Sequence, residues 1–589
     1  MSVKQTDQSG KIISSEYAGC ILDALGKHPY IFIFLICIIL NPFYLGQITN
    51  APQNSLIFSV FLLSALIVSL IVRAGVCGIF DKKESAVLSA VSVIIIFLLS
   101  ALYTKSQYKG LWIIASGSFF LCVFCWLLKN KINKQKVYSL MIIGLSFIQK
   151  FHYVLYTTIY ERQHDAGSFD GGSGHAGYIG YLLSNHMLPD FDVRDVWQFS
   201  HPPLHHTISA LWIGLSEKIF GISPEAAQES IQTLTLFYAM AIIITSYRIL
   251  RYFRVNGAAL YIPLAVIAFH PSFTMFSGSI NNDVLSVAFM TGAVYCTLRW
   301  YDDQSMKNII KIAICTGLGM MTKLSAALCA PPIAIVFLVI FIKKFRTDAK
   351  KLTGQFISFA AVCVPLGLWF EIKNYIAYGI PITYVNKLDK NIMQYIGDQS
   401  YISRITDFSA ASFNSVFEQW LSADENGIQY GYNEHNPLIA LLKNSIFGEY
   451  INENALCNNV LIIYVCRILF WTAVILAAFA LISMIIMCFR KCRMKSLLKV
   501  FFISFYTIMI ANFYKMAADY PFTCTLNFRY ITPTVITGAL FTGLLIQTLT
   551  DTKARSLKAV VISLSVLTVL FAAASVLVFT VVVYPEPDH

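Results

Sequence analysis

The sequence predicts an all-α polytopic membrane protein with about fifteen transmembrane helices and an outer-face loop that carries an amphipathic surface helix. The 589 residues are 57% hydrophobic and only 13% charged, and the mean hydropathy is +0.63. Apolar runs of about twenty residues, the length that crosses a bilayer, recur along the chain. The formal net charge of +12 does not indicate nucleic-acid binding, because Lys and Arg cluster in short segments between these runs.

The first spans follow from the apolar runs and from the charge of the loops between them. Residues 1–28 are polar and are predicted to be cytoplasmic, and the region 29–136 holds four spans, at about 29–48, 55–73, 86–103 and 110–128. The 73–83 and 129–136 loops are basic, whereas the 49–54 loop carries no charge. The positive-inside rule therefore predicts a cytoplasmic N-terminus, and a fifth span at 137–159 leads to the outer face.

The first outer loop, residues 160–226, holds the densest group of polar residues in the chain. Six of the eleven histidines fall between Tyr160 and His206, together with five aspartates and a run of glycines. An ordinary exposed loop has no need of so many titratable groups. The density indicates a chemical site held by apolar spans.

Residues 203–220 decide the topology of everything that follows. Leu204, Leu211 and Leu215 belong to one apolar stripe at helical spacing, with His205 on another face, which is typical of an amphipathic helix. If this helix crossed the membrane, the later basic loops would lie outside. We therefore expect it to lie on the outer surface.

The later spans complete the predicted architecture. The region 137–377 is the expected catalytic membrane core, with further spans at about 227–250, 257–277, 283–300, 308–322, 325–343 and 354–376. The segment 378–459 is polar and is expected outside, where it can form a lid or recognition element. The C-terminal region 460–589 contains spans at about 460–489, 498–517, 529–549 and 557–583. The C-terminus is then expected outside the cell membrane.

A few polar side chains stand where spans meet the outer face. They are His164 and Asp165 after the fifth span, His201 at the start of the surface helix, Asp283 in the sequence Asn281-Asn282-Asp283, Lys323, and Arg529 with Tyr530. Asp283 can equally be a helix cap, and Lys323 can be a lysine that extends to the interface. Arg529 runs against both the positive-inside trend and the helix dipole, which indicates an anionic partner.

In this order, these patterns resemble GT-C membrane glycosyltransferases, the group of protein O-mannosyltransferases and of aminoarabinose transferases that modify lipid A. The resemblance rests on Gln163-His164-Asp165, on HPPL at 201–204, on Asn281-Asn282-Asp283, on GLGMMTKLSA at 317–326 and on Phe528-Arg529-Tyr530. It also includes Trp369, Lys373-Asn374-Tyr375 and Tyr378-Gly379-Ile380-Pro381. Together these motifs cover about residues 137 to 550.

The resemblance implies an inverting transfer of a sugar from a polyprenyl-phosphate donor to an acceptor hydroxyl at the outer face. Asp165 is the expected catalytic base, and a divalent metal cation is expected between Asp165 and Asp283, with a loop histidine as a further ligand. The expected donor-binding residues are His164, His201, His205, Lys323, Arg529 and Tyr530. The resemblance fixes neither the sugar nor the acceptor, which is a protein, a lipid or a glycan, and membrane lipids are the other expected partners.

The residues leave two alternatives to a glycosyltransferase. A transporter or lipid flippase would carry buried charges near mid-span and broken helices there. Glu371 and Lys373 are the only such pair apparent in the sequence, and they lie near a span end. A non-catalytic membrane scaffold is the second alternative, and it leaves the loop histidines unexplained.

Overall fold

A computed structural model describes residues 28–48, 82–103, 133–160, 165–391, 394–409, 419–424, 427–432, 435–448 and 460–581, with isolated positions between 114 and 125. The predicted span at 55–73 and most of the one at 110–128 lie outside the described residues, as does His164.

The described chain is mainly helical. The helices before residue 230 are α1 (Pro29–Ile48), α2 (Lys82–Tyr103), α3 (Lys134–Tyr156), α4 (Gly174–Asn185), α5 (Leu204–Phe220) and α6 (Pro224–Glu229). Those of the central region are α7 (Ile231–Tyr252), α8 (Ala258–Phe269), α9 (Pro271–Ser277), α10 (Asp283–Asp302), α11 (Met306–Thr322) and α12 (Ala330–Tyr378). Those that follow are α13 (Tyr401–Thr406), α14 (Pro437–Phe447), α15 (Val460–Phe489), α16 (Ser496–Asp519), α17 (Thr534–Asp551) and α18 (Leu557–Val581). Short 3-10 helices occur at Leu324–Cys329, Thr523–Thr525 and Phe528–Ile531.

One pair of short strands accompanies the helices in the described part of the chain. Strands β1 (Gln419–Asp424) and β2 (Gly427–Tyr432) pair in antiparallel fashion within the segment 378–459.

Seven helices in the described part of the chain are long and apolar enough to cross a membrane, or eight if α8 and α9 count as one broken span. These two helices meet at a bend of 48°. Pro271 begins α9 there, and it has no backbone N–H with which to continue α8. The count of fifteen spans stays a prediction.

Helix α12 folds back on itself. In a straight helix, Phe337 and Phe356 would lie about 28 Å apart. Their ring centroids are instead 5.1 Å apart, and Trp300 of α10 packs against both rings. The reversal falls within the basic segment that the sequence predicts to join two spans.

The segment 165–226, which the sequence predicts to be an outer loop, contributes most of a separate hydrophobic core. Helix α4, which the sequence analysis did not anticipate, contributes Tyr178, Ile179 and Leu182 to this core, and Phe370 near the C-terminal end of α12 packs on the same cluster. A glycine-rich stretch such as GHAGYIG resembles a loop in sequence, because glycine is a poor helix former. This segment is therefore a packed unit that can hold side chains in fixed positions.

Helix α5 matches the predicted bounds, and one of its faces is buried while another is exposed. His205, His206, Ser209 and Ser216 are buried, whereas Leu211 and Leu215 of the apolar stripe are exposed. The polar face is thus turned into the protein, and the apolar stripe is left for an apolar environment. That division is compatible with a helix on the membrane surface.

Part of the segment 378–459 is buried in the protein. Helix α14 lies inside it, and most of its residues are buried. Ser272 of α9 donates a hydrogen bond to the Ser445 carbonyl at 2.8 Å, and Asn444 donates one to the Leu526 carbonyl at 3.3 Å. Helix α14 therefore packs between α9 and the segment that leads to Arg529.

Candidate active site

Asp165 begins a tight turn that the glycine run makes possible. Gly167 and Gly174 have positive φ, and a Cβ on Gly167 would lie 2.0 Å from the Ser173 carbonyl oxygen. Asp165 itself has φ of 60°, in the left-handed region that Asp tolerates better than most residues. Its carbonyl accepts a hydrogen bond from the His175 N–H at 2.9 Å, so the first residues of α4 hold the backbone of Asp165.

Asp283 is placed by the two asparagines before it. The Asn281 side chain accepts a hydrogen bond from the Asp283 N–H at 3.1 Å. The Asn282 side chain donates to the Thr322 carbonyl at 2.8 Å, immediately before Lys323. The start of α10 and the end of α11 are thereby joined, which brings a carboxylate and an ammonium group together.

Four charged side chains converge from four separate parts of the chain. Lys323 Nζ lies 2.5 Å from Asp283 Oδ1. Arg529 reaches both carboxylates, with Nη2 at 3.0 Å from Asp165 Oδ2 and Nη1 at 3.6 Å from Asp283 Oδ2. Tyr530 lies beneath both cations, whose charged groups are 5.0 Å and 5.1 Å from its ring centroid. Residues of opposite sign therefore compensate one another in a single buried cluster, hereafter the charge cluster (Asp165, Asp283, Lys323, Arg529).

Burial distinguishes the two carboxylates. The Asp283 side chain is 4% exposed and lies between two cations, whereas that of Asp165 is 25% exposed. Burial lowers the pKa of Lys323, and the Asp283 carboxylate opposes this effect. Asp165 is thus the member of the cluster that an incoming molecule can reach most easily.

The histidines of the loop pack beside this cluster. The rings of His201 and His175 are nearly parallel, with centroids 5.5 Å apart, and His175 Nδ1 lies 2.9 Å from His206 Nε2. Burial and the nearby Lys323 lower the pKa of His201 to about 4. His201 is therefore neutral at physiological pH and can donate or accept a hydrogen bond beside the charge cluster.

Of the residues predicted from sequence, the structure brings Asp165, Asp283, Lys323, Arg529 and Tyr530 into mutual contact. His205 is fully buried, and its Nε2 donates to the Ile280 carbonyl at 2.8 Å, three residues before Asp283. His175 and His206 were not singled out from the sequence. The available signal was the pair His205-His206 on one helical turn, together with the histidine density of the loop.

The described residues do not fit a divalent cation between Asp165 and Asp283. The Arg529 guanidinium already lies between the two carboxylates, and Lys323 faces the other oxygen of Asp283. A metal would have to displace two cations from a buried site. Among the described residues, no group of three or more His, Cys, Asp or Glu side chains has an arrangement suited to a metal.

A mainly apolar cavity of about 630 Å³ is lined by residues that are close in sequence to those of the charge cluster. Its lining includes Leu183 of α4 and Leu204, Leu211 and Leu215 of α5, with Met321 and Trp369 from α11 and α12. Met321 is two residues from Lys323, and Leu204 is three from His201. The exposed stripe of α5 is thus one wall of a groove.

The helices and the buried charge cluster define a multi-pass membrane protein with a polar site at the ends of its helices. Residues 200–369 match the family of dolichyl-phosphate-mannose-protein mannosyltransferases. The match confirms the resemblance to GT-C glycosyltransferases over this part of the chain and supports a membrane glycosyltransferase with a polyprenyl-phosphate sugar donor. It includes His201, Asp283 and Lys323 but neither Asp165 nor Arg529. No curated protein matches the chain.

Proposed function

We propose that the protein transfers a sugar from a polyprenyl-phosphate donor to an acceptor hydroxyl at the outer face of the cell membrane, with inversion at the anomeric carbon. The observation that carries the proposal is the charge cluster, in which two buried cations lie beside a partly exposed carboxylate. The family match supports the class of donor.

The two cations suit the departing phosphate. As the bond between the anomeric carbon and the phosphate oxygen breaks, the electron pair stays on that oxygen and negative charge develops there. Lys323 and Arg529 are fixed by their carboxylate partners before any substrate binds, so little reorganisation is needed when this charge appears. His201, neutral and adjacent, can donate a hydrogen bond to the same phosphate.

The carboxylate suits the acceptor. The acceptor oxygen attacks the anomeric carbon from the face opposite the phosphate, and its proton passes to Asp165. The sugar carbon carries partial positive charge during this exchange, as in other glycosyl transfers. Attack from the opposite face gives the inverted product.

The apolar groove suits the lipid part of the donor. Most of its wall is formed by aliphatic and aromatic side chains, with His186, Thr207 and Lys218 as the polar members, and α5 contributes an apolar stripe that water would otherwise cover. A polyprenyl chain in this groove would place its phosphate at the neighbouring cations. Met321 of the groove comes two residues before Lys323, and Leu204 comes three residues after His201. The groove therefore supports a lipid-linked donor over a soluble sugar nucleotide.

The substitution Asp165→Asn tests the base. Asn has nearly the same size and also tolerates the left-handed backbone, so the loop should be retained. Transfer from a radiolabelled polyprenyl-phosphate sugar should fall by about 10²–10⁴-fold, the usual contribution of a general base, with donor binding nearly intact.

Asp170→Asn is the matched control, since Asp170 is exposed in the turn that joins Ser168 to Ser173. This variant should keep most of the activity. Equal losses in both variants, or full activity in Asp165→Asn, would contradict the role of Asp165.

A transporter or lipid flippase is the second candidate, and one observation favours it. Lys150 of α3 is fully buried and donates a hydrogen bond to the Ala268 carbonyl at 2.7 Å, beside the break between α8 and α9. A buried lysine at a broken helix is a feature of transporters. Mass spectrometry of the lipids after incubation separates the candidates, because a flippase returns the lipid-linked sugar intact and a transferase yields polyprenyl phosphate.

A further inference from the structure

Two consecutive histidines on the first turn of α5 each bond to a different loop of the charge cluster. His205 Nε2 donates to the carbonyl of Ile280, three residues before Asp283, at 2.8 Å. His206 Nε2 lies 2.9 Å from His175 Nδ1. The His175 backbone N–H in turn donates to the Asp165 carbonyl at 2.9 Å. Both carboxylate loops are thus connected to one helical turn.

The contact between His175 and His206 requires at least one neutral ring. One imidazole nitrogen must donate its hydrogen and the other must accept it, which two protonated rings cannot do. Both side chains are buried, and burial holds the pKa of each well below the ordinary value for histidine. The Tyr178 ring stacks on His206 at 4.4 Å, so the pair is enclosed by an aromatic ring.

The backbone of Asp165 needs such support. Its φ of 60° is a sparsely populated conformation for a residue with a side chain, and such conformations persist where surrounding contacts fix them. The contacts here are the hydrogen bond from the His175 N–H and a second one from the Ala176 N–H to the Ala166 carbonyl at 2.7 Å. Displacement of the His175 ring would disturb both donors.

We propose that His175, His205 and His206 are positioning residues that set the separation of Asp165 and Asp283, so that both carboxylates meet Arg529. His206 acts on Asp165 through His175, and His205 acts on Asp283 through the Ile280 carbonyl. The proposal rests on the proposed function for its catalytic consequence, but the positioning itself is a property of the fold and can be measured without a substrate.

Simple core packing is the alternative explanation, and substitutions can separate the two. His206→Phe keeps a planar ring against Tyr178 and removes the nitrogen that contacts His175. His206→Gln can return a polar atom near the position of Nε2. Tyr178→Phe is the matched control from the same ring stack, because the buried Tyr178 hydroxyl has no hydrogen-bond partner in the described part of the chain.

Hydrogen–deuterium exchange of the purified protein tests the positioning. His206→Phe should increase the exchange rate of the amides of His175 and Ala176, which hold the Asp165 loop, and Tyr178→Phe should leave it unchanged. His206→Gln should lie between His206→Phe and the wild type. Unchanged exchange in His206→Phe, or an equal increase in Tyr178→Phe, would overturn the proposal.

Transfer assays with polyprenyl-phosphate [³H]mannose test the consequence for catalysis. His206→Phe should lower kcat by about 10–10²-fold, as expected for a misplaced catalytic group, with the KM for the donor nearly unchanged. In the Asp165→Asn background, His206→Phe should cost almost nothing more, because the residue it positions has already lost its function. A further full loss in that background would show that His206 acts by another route.

Hydrogen–deuterium exchange and the transfer assay test the positioning and the proposed function independently of each other. If the wild-type protein transferred no sugar from this donor, the proposed function would fail while the exchange data still decided the positioning. If transfer occurred and exchange did not respond to His206→Phe, the positioning would fail and the proposed function would stand.

Discussion

At the scale of single residues, the positive and negative charges of the charge cluster neutralise one another through ion pairs. Each buried cation has a carboxylate partner, and Arg529 serves two carboxylates with separate nitrogens. Removing one partner of a buried pair leaves an uncompensated charge, whereas removing both leaves none. The planar fork of arginine also reaches two acceptors at once, which the single ammonium of lysine cannot do in the same geometry.

Compensation predicts non-additive stability changes at Lys323 and Asp283. Lys323→Gln and Asp283→Asn should each destabilise the protein by several kcal/mol, about 3–5 for loss of one partner of a buried pair. The double variant should cost clearly less than the sum of the two. Thermal unfolding in detergent measures all three variants, and additive losses would contradict the pairing.

At the scale of elements, α5 connects the site with the groove. Its buried face carries the histidines that contact the carboxylate loops, and its exposed leucines line the apolar cavity. A single rigid helix therefore relates the expected position of the lipid to that of the reacting groups. The amphipathic pattern of α5 reflects two different contacts rather than one buried side and one solvated side.

The buried histidines of α5 predict acid sensitivity. Burial lowers the pKa of His205 from 6.5 to about 4, so between these values the unfolded chain binds the proton more strongly than the folded one. Stability should then rise with pH across this window and be lost as the pH falls from about 6.5 toward 4. Thermal unfolding midpoints recorded at several pH values should show this trend.

His205→Leu should reduce the slope of that pH dependence, since the titrating group is gone. Identical slopes in His205→Leu and in the wild type would contradict the assignment.

At the scale of the whole molecule, the topology depends on whether α5 crosses the membrane. If it lies on the outer surface, the basic segments after α7 and within the reversal of α12 fall on the cytoplasmic side. If it crosses, they fall outside, against the positive-inside rule. The exposed apolar stripe and the buried histidines of α5 favour the surface position.

Labelling of intact cells tests this topology. In a background without reactive native cysteines, Ser400→Cys should react with a membrane-impermeant thiol reagent and Thr347→Cys should react only after permeabilisation. Both positions are in described segments outside the apolar runs. Reaction of Thr347→Cys in intact cells would reverse the assignment.

By itself, the sequence determined the class of the protein and most of its helices. Hydropathy is a local property, so the apolar runs predicted α3, α7 and the helices of the C-terminal region close to their observed bounds. It also predicted Asp165, Asp283, Lys323 and Arg529 as site residues, because charges at the outer ends of apolar spans are costly and therefore few.

Only the tertiary structure decided how these residues meet. Arg529 contacts Asp165 across 364 residues of chain, and no local pattern encodes such a contact. The same holds for the pair His175 and His206, and for the reversal of α12 through the contact of Phe337 with Phe356. Helix α4 was missed because its glycines have low helix propensity, which packing against the outer-loop core overrides. Convergence depends on how helices distant in sequence pack together, and that packing is the sum of many weak contacts that periodicity alone does not specify.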